Sequence, residues 1–383
     1  MINTADTRQR EVWVDWLRVI ACFMVMVVHS SEPFYLGGEG TLITSAYNAR
    51  WAAFFDVLVR SCVPLFVIAS SYLQFPLHYS TGEFFRKRAV RVLVPFAIWS
   101  IFYALYWGDP VTNLKSLLLN FNYVAGHLWF VYMLVGLYLI MPLLSPWAEK
   151  VGKKELSIYI GIWLFTTLVP LIRDWACDSP LTVIYGPTGI PRQVLYPLYG
   201  EASWNTYGTF YYLSGFLGYM LIGLWLRKFG SDIKPARSWF VAIACFLAGF
   251  AICYFGFIRR VNISSNGVFP VGGREGLAAW WETTWINDTF GVALMTIGNV
   301  LMFRKIKSSG RFYEKILLPV SKASYGMYLG HMVALAFYSQ LFRSCINTTP
   351  LVIILTAVCS FVTTAIVAVL VKKIPVIGRY IIG

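Results

Sequence analysis

Acidic side chains are scarce in this chain: 18 Asp and Glu stand against 32 Lys and Arg among 383 residues, and charged residues together make up 13%. Soluble globular domains carry about 25% charged residues, so a water-exposed surface is excluded for most of the chain. Histidine is rarer still, four in all, and no spacing of Cys, His and carboxylate matches a zinc or iron site. Walker and dinucleotide glycine patterns are missing as well. No internal repeat appears, and no pair of Gly-broken apolar segments in matching halves, which argues against an inverted-repeat transporter. A cleavable leader is not expected either. The first apolar run follows Arg8 and Arg10, is interrupted by Arg18 and lacks a small-residue cleavage site, so it is expected to stay as the first helix.

What the chain has in abundance is apolar surface. Hydrophobic residues make up 58%, and the mean hydropathy is +0.62, as in a polytopic membrane protein. Ten spanning helices are expected, near 12–35, 50–74, 88–107, 127–147, 156–173, 209–227, 237–258, 283–303, 320–342 and 350–371. The fold class is therefore an all-α membrane helix bundle, one integral membrane domain over 1–383. The net charge of +14 does not point to nucleic acid, because the basic residues fall in short clusters between apolar runs. Alternate connections hold Arg86, Lys87 and Arg88, then Lys150, Lys153 and Lys154, then Arg227, Lys228, Lys234 and Arg237. By the positive-inside rule these connections and both termini are cytoplasmic. Five of the seven cysteines (Cys22, Cys62, Cys245, Cys253, Cys359) sit in apolar runs and read as small core residues. Cys177 and Cys345 fall in outer connections, where a disulfide is permitted, although loop positions do not fix their distance.

The first helix carries two ionisable residues, Arg18 and His29. Eleven residues at 100° each bring their side chains within about 20° of one direction, with about 16 Å between them along the axis. Charge in hydrocarbon is costly, so a shared stripe of this kind reads as the wall of a polar cavity inside the bundle. Singly, Arg18 snorkelling and His29 at the interface would serve as well. His127 and His331 come out at a similar outer depth to His29, and His78 lies in a cytoplasmic connection. The outer segments 174–208 and 259–282 are rich in Pro, Gly, Tyr and Trp, a surface on which sugar rings stack, though an interfacial aromatic belt accounts for most of the Trp. Asp288 is a further ionisable group near the outer end of the eighth helix, without an assigned role.

Five stretches then carry a family resemblance: DWLRVIACFMVMVVHS with ten residues between Arg18 and His29, SCVPLFVIASSYL with Pro64, Phe66, Ser70 and Tyr72, FFRKRAVRVLVPF with Arg88, Arg91 and Pro95, GHLWF, and SKASYGMYLGHM. In this order they resemble the acyltransferase-3 integral membrane acyltransferases, with Ser71 where the family usually has Gly. The likeness is nearest the stand-alone enterobacterial common antigen O-acetyltransferase type. No hydrolase-like domain follows the helices in these 383 residues, so transfer is expected to be completed here or by a separate protein.

The resemblance implies transfer of an acyl group, most often acetyl from acetyl-CoA as a co-substrate, to a hydroxyl of an envelope glycan or lipid-linked sugar. It implies a multi-pass protein of the bacterial cytoplasmic membrane, with no tightly bound cofactor and no metal. Arg88 and Arg91, with Arg86 adding field, are the expected grip on the CoA phosphates, although membrane anchoring alone accounts for that cluster. Arg18, oriented by Asp15, is expected to line the path of the thioester arm. His29 is expected either to take the proton of the acceptor hydroxyl or to be acylated first. Tyr72, Ser70, Trp129 and His331 are the candidate oxyanion donors, and His127, Trp129 and Glu201 the candidate acceptor contacts. The competing reading is a transporter whose path is lined by Arg18 and His29; a non-catalytic scaffold is a third.

Overall fold

The structure, a computed structural model, describes residues 10–36, 42–117, 119, 124–176, 207–233, 235–273, 276–307 and 309–383. Among them the fold is an all-α polytopic bundle. Its long helices are α1 (Val12–Phe34), α2 (Ala46–Gln74), α3 (Thr81–Tyr106), α4 (Gly126–Lys150) and α5 (Lys153–Ile172). They continue with α6 (Leu217–Phe229), α7 (Pro235–Ser265), α8 (Phe290–Phe303), α9 (Leu318–Cys345) and α10 (Thr349–Lys372). Each expected span falls on one of these ten. Seven are long and apolar enough to cross a membrane by length and composition. Of the others, α6 has 13 residues and α8 has 14, and α9, with 28 residues, is diluted by Ser321, Lys322, Ser324, His331 and Arg343.

Three boundaries differ from the sequence-based expectation, each for a local reason. The helix expected from residue 209 is divided into a 3-10 helix at Gly208–Leu213 and α6, because Gly215 between them takes a φ of +67°, which glycine adopts without strain. The helix expected from residue 283 starts only at Phe290. The Thr289 hydroxyl donates to the carbonyls of Thr284 and Ile286, a local bond that competes with helix continuation. The outer segment expected from residue 259 begins later, since α7 continues to Ser265.

The first helix is the axis of the bundle. It packs against α2, α9 and α10, and Leu17 and Ala21 are fully buried in the main core. A helix apolar on most sides needs such an interior position. A second, smaller core lies beneath the short antiparallel pair Leu42–Ile43 and Val271–Gly272, where Ile43 faces Val271. It gathers Tyr35, Phe257, Trp280, Trp281 and Trp285.

Prolines place three irregularities that matter for the site. A proline has no N–H to bond the carbonyl four residues back, and its ring crowds that carbonyl. Pro64 therefore interrupts α2 between Val59 and Cys62, leaving Arg60 at the joint. Pro95 follows a wide π turn at Ala89–Leu93 in α3, which carries Arg91. Pro319 likewise follows a π turn at Tyr313–Leu317 that leads into α9. Such turns inside α-helices often mark functional positions.

Close approach of α6 to α2 depends on Gly223. A Cβ there would lie 2.7 Å from Ser71 Cβ and 2.9 Å from the Ile68 carbonyl, and small residues are what allow membrane helices to meet backbone to backbone. Gly223→Val is expected to destabilise the protein by about 1–3 kcal/mol through overpacking, read as a lower thermal unfolding midpoint in detergent. An unchanged midpoint would show that the two helices separate freely.

Candidate active site

At the end of the bundle where the basic clusters gather, a cavity of about 740 Å³ opens between α1, α3, α4 and α9. Seven cationic residues line it: Arg10, Arg18, Arg88, Arg91, Lys322, Lys372 and Arg379, and no Asp or Glu side chain does. Among the described residues only Arg10 of these has an Asp or Glu partner, its guanidinium donating to both carboxylate oxygens of Asp15 at 2.6 and 2.8 Å. Asp15 also accepts from Tyr313 (2.7 Å) and Ser321 (2.6 Å). It is thus committed to these partners and makes no hydrogen bond to Arg18, which has no ion-pair partner among the described residues. The Arg88 Nε is buried without a partner, and the guanidinium lies 5.4 Å from the centroids of the Phe84 and Tyr138 rings. Unpaired cations facing one space create a strong field for anions there.

Farther along α1, a small chamber of about 80 Å³ is lined by His29, Glu32, Arg60, His127, Trp129 and Asn287, among others. The His29 Nδ1 lies 2.7 Å from Glu32 Oε2. A carboxylate accepts, so the neutral imidazole carries its proton on Nδ1 and leaves the Nε2 lone pair free; the tautomer follows from the partner. The last turn of α1 tightens into a 3-10 turn at Glu32–Phe34, with Pro33 in it, and this brings Glu32 back over His29. Arg60 reaches the chamber from the joint in α2. It is bonded to Asp56, to Tyr35 Oη at 2.9 Å and to Glu282 at 3.2 Å. Glu32, Asp56 and Glu282 thus stand around one guanidinium, three carboxyl groups to a single arginine at this end of α1.

The three outer histidines do come together. The His331 ring lies 5.2 Å from that of His29 and 5.0 Å from that of His127. His331 Nδ1 is 2.5 Å from the Tyr328 carbonyl, so in the neutral ring it donates there and the buried Nε2, which has no partner, carries the lone pair. His331 can donate to an oxyanion only as an imidazolium.

Phe130 and Tyr328 line both the basic cavity and the His29 chamber. Their rings meet edge to face at 5.2 Å, and the Tyr328 hydroxyl donates to the His127 carbonyl at 2.5 Å. Two aromatic side chains therefore separate the spaces that Arg18 and His29 line.

Several expected site residues are placed elsewhere. Tyr72 lies at the basic end, its hydroxyl bonded to Glu11 at 2.9 Å and its ring against Trp13, far from a role beside His29. Arg86 is exposed and lines neither cavity. Ser70 lines the basic cavity, and His127 and Trp129 the small chamber. His331 lines neither. Asp288 accepts from Tyr207 at 3.0 Å, beside but outside the chamber. Glu201 and Cys177 lie outside the described residues, and Cys345 is exposed at the end of α9. The sequence reading missed Glu32 and Arg60. A His-x-x-Glu spacing at a helix end was the available signal for Glu32; Arg60 had only the proline four residues on. Among the described residues no cluster of three or more His, Cys, Asp or Glu could hold a metal ion.

No curated protein and no solved structure was found to be similar to the chain. The family model described as "Acyltransferase domain" matches residues 11–372, which takes in the basic cavity, the aromatic pair and the His29 chamber. By that match the chain belongs to the acyltransferase-3 family, and it is a membrane acyltransferase.

Proposed function

We propose that this enzyme carries an acetyl group from acetyl-CoA on the cytoplasmic side to a hydroxyl of an envelope glycan or lipid-linked sugar, of the enterobacterial common antigen kind, in the bacterial inner membrane. One observation carries the reading: a cavity lined by seven cations and no Asp or Glu side chain lies one aromatic pair away from an imidazole whose Nδ1 is held by a carboxylate. The positive-inside rule makes the basic end cytoplasmic, where acyl-CoA is made. The CoA phosphates meet Arg88 and Arg91, and the thin arm runs beside Arg18 toward Phe130 and Tyr328. Once these rings part, the thioester reaches His29.

The acceptor hydroxyl loses its proton to His29 Nε2 as its oxygen attacks the thioester carbonyl. The tetrahedral intermediate collapses with cleavage of the C–S bond. The proton passes from the imidazolium to the departing sulfur, leaving an ester and free CoA thiol. Glu32 holds the ring orientation and favours the imidazolium while it exists. Trp129, 38% exposed at the chamber wall, offers an indole face to a sugar ring. At roughly 15 Å³ for each water-sized group, the 80 Å³ chamber holds about five such groups, room for a two-carbon acyl unit and the attacking hydroxyl.

His29→Ala should abolish transfer of labelled acetyl from acetyl-CoA while the purified protein keeps its elution volume and melting midpoint; full activity would remove the mechanism. Glu32→Gln should lower kcat about 10²-fold, at the lower end of general-base contributions. Succinyl-CoA should react at least about tenfold more slowly than acetyl-CoA, given what added bulk costs in a closed pocket, as measured by thiol release in the presence of acceptor. Phe130→Ala should open the partition and raise acetyl-CoA hydrolysis without acceptor; a variant that hydrolyses no faster than the parent would show that the aromatic pair does not guard the thioester.

A further inference from the structure

The basic cavity holds more positive charge than a pyrophosphate requires, and the surplus comes from separate elements. Arg88 and Arg91 belong to α3, and Arg18 to α1, with Arg10 two residues before that helix begins. Lys322, Lys372 and Arg379 come from α9, the end of α10 and the short helix Ile377–Ile382. This trio is built into the fold. The short helix is fixed to α3 by the Trp99 indole, which donates to the Ile381 carbonyl at 3.0 Å. It presses on α9 so closely that a Cβ at Gly326 would lie 2.6 Å from Ile382. The Lys372 ammonium donates to the main-chain oxygens of Lys322 (2.6 Å) and Gly383 (2.7 Å), leaving one of its three N–H groups for a ligand. Lys372 lies close enough to Arg91 and Lys322 for their charges to repel, and none of the three residues of the trio has an Asp or Glu side-chain partner among the described residues. Cations held this close together are stabilised when a polyanion joins them.

Resting on the donor reading above, we propose that Lys322, Lys372 and Arg379 form a distinct subsite for the 3′-phosphate of the CoA nucleotide, so that the enzyme selects CoA thioesters over pantetheine or dephospho-CoA carriers. The division follows from charge and place. With the arm running inward along Arg18, the nucleotide remains at the mouth. Arg88 and Arg91 on α3 meet the pyrophosphate, and the trio on the adjoining elements meets the third phosphate, a dianion at neutral pH.

Affinity for CoA and for 3′-dephospho-CoA, measured by calorimetry on the purified full-length protein in nanodiscs, tests this. The parent protein should bind CoA at least tenfold more tightly than dephospho-CoA, and Lys322→Ala/Arg379→Ala should bring the ratio close to one by weakening CoA. The single charge-conserving variant Lys322→Arg should retain the preference, which separates the subsite from a folding defect. Equal affinities in the parent, or a double variant that weakens both ligands by the same factor, would overturn the subsite. No measurable binding of either ligand by the parent would instead overturn the donor reading itself.

Discussion

A polar group inside a lipid-bounded bundle must find its partner within the protein or in a cavity the protein builds, and this chain meets that constraint in two opposite ways. Around the end of α1 the charges are matched side chain to side chain: His29 with Glu32, and Arg60 with Asp56, Glu282 and Tyr35. At the basic end they are left unmatched, Arg18 and Arg88 facing a cavity without a carboxylate side chain. The matched half holds its charged groups in defined pairings, as the base proposed there would need. The unmatched half is an attraction waiting for an anion. Its cost in the free protein is returned when a polyanion binds, so the same cations that destabilise the free cavity select its ligand.

Separation of the halves has a chemical consequence. A thioester beside a free imidazole lone pair is open to water, and any water sharing the chamber would divert the acyl group to hydrolysis. The Phe130 and Tyr328 pair limits that meeting, since both rings face both spaces. Tyr328 is tied to the backbone of His127, itself a wall of the chamber, and it precedes His331 by three residues on α9. A shift of α9 that moved the Tyr328 ring would therefore also disturb the histidine cluster, which in the proposed reaction would couple donor access to the base.

The bundle and its first helix were legible because their signals are local. Apolar length gave the spans, and the 3.6-residue period placed Arg18 and His29 on one stripe, although each lines a cavity of its own rather than one shared space. Depth estimates brought His29, His127 and His331 together correctly. Errors arose where direction around the axis decides. Ser70 and Tyr72 are two residues apart, about 200° around the helix, so when Ser70 faces the cavity Tyr72 is turned toward Glu11. Arg86 stands in the same relation to Arg88. The contributions of Lys322, Lys372 and Arg379 were not legible, because only tertiary packing carries α10 and the following short helix to the mouth of a cavity that opens beside α1.

Proline is what turns a stack of regular helices into a site. The missing N–H of Pro64 opens α2 where Arg60 has to leave the ladder and reach inward. Pro95 is accommodated by a π turn that shifts Arg91 relative to a regular continuation of α3. Pro33 lies in the 3-10 turn that folds Glu32 back toward His29. In each case a backbone group loses its regular partner beside a charged side chain. An enzyme that must hold arginine and histidine inside a membrane thus gains from helix breakers what a soluble enzyme obtains from loops: positions where the direction of a side chain is set independently of the helical period.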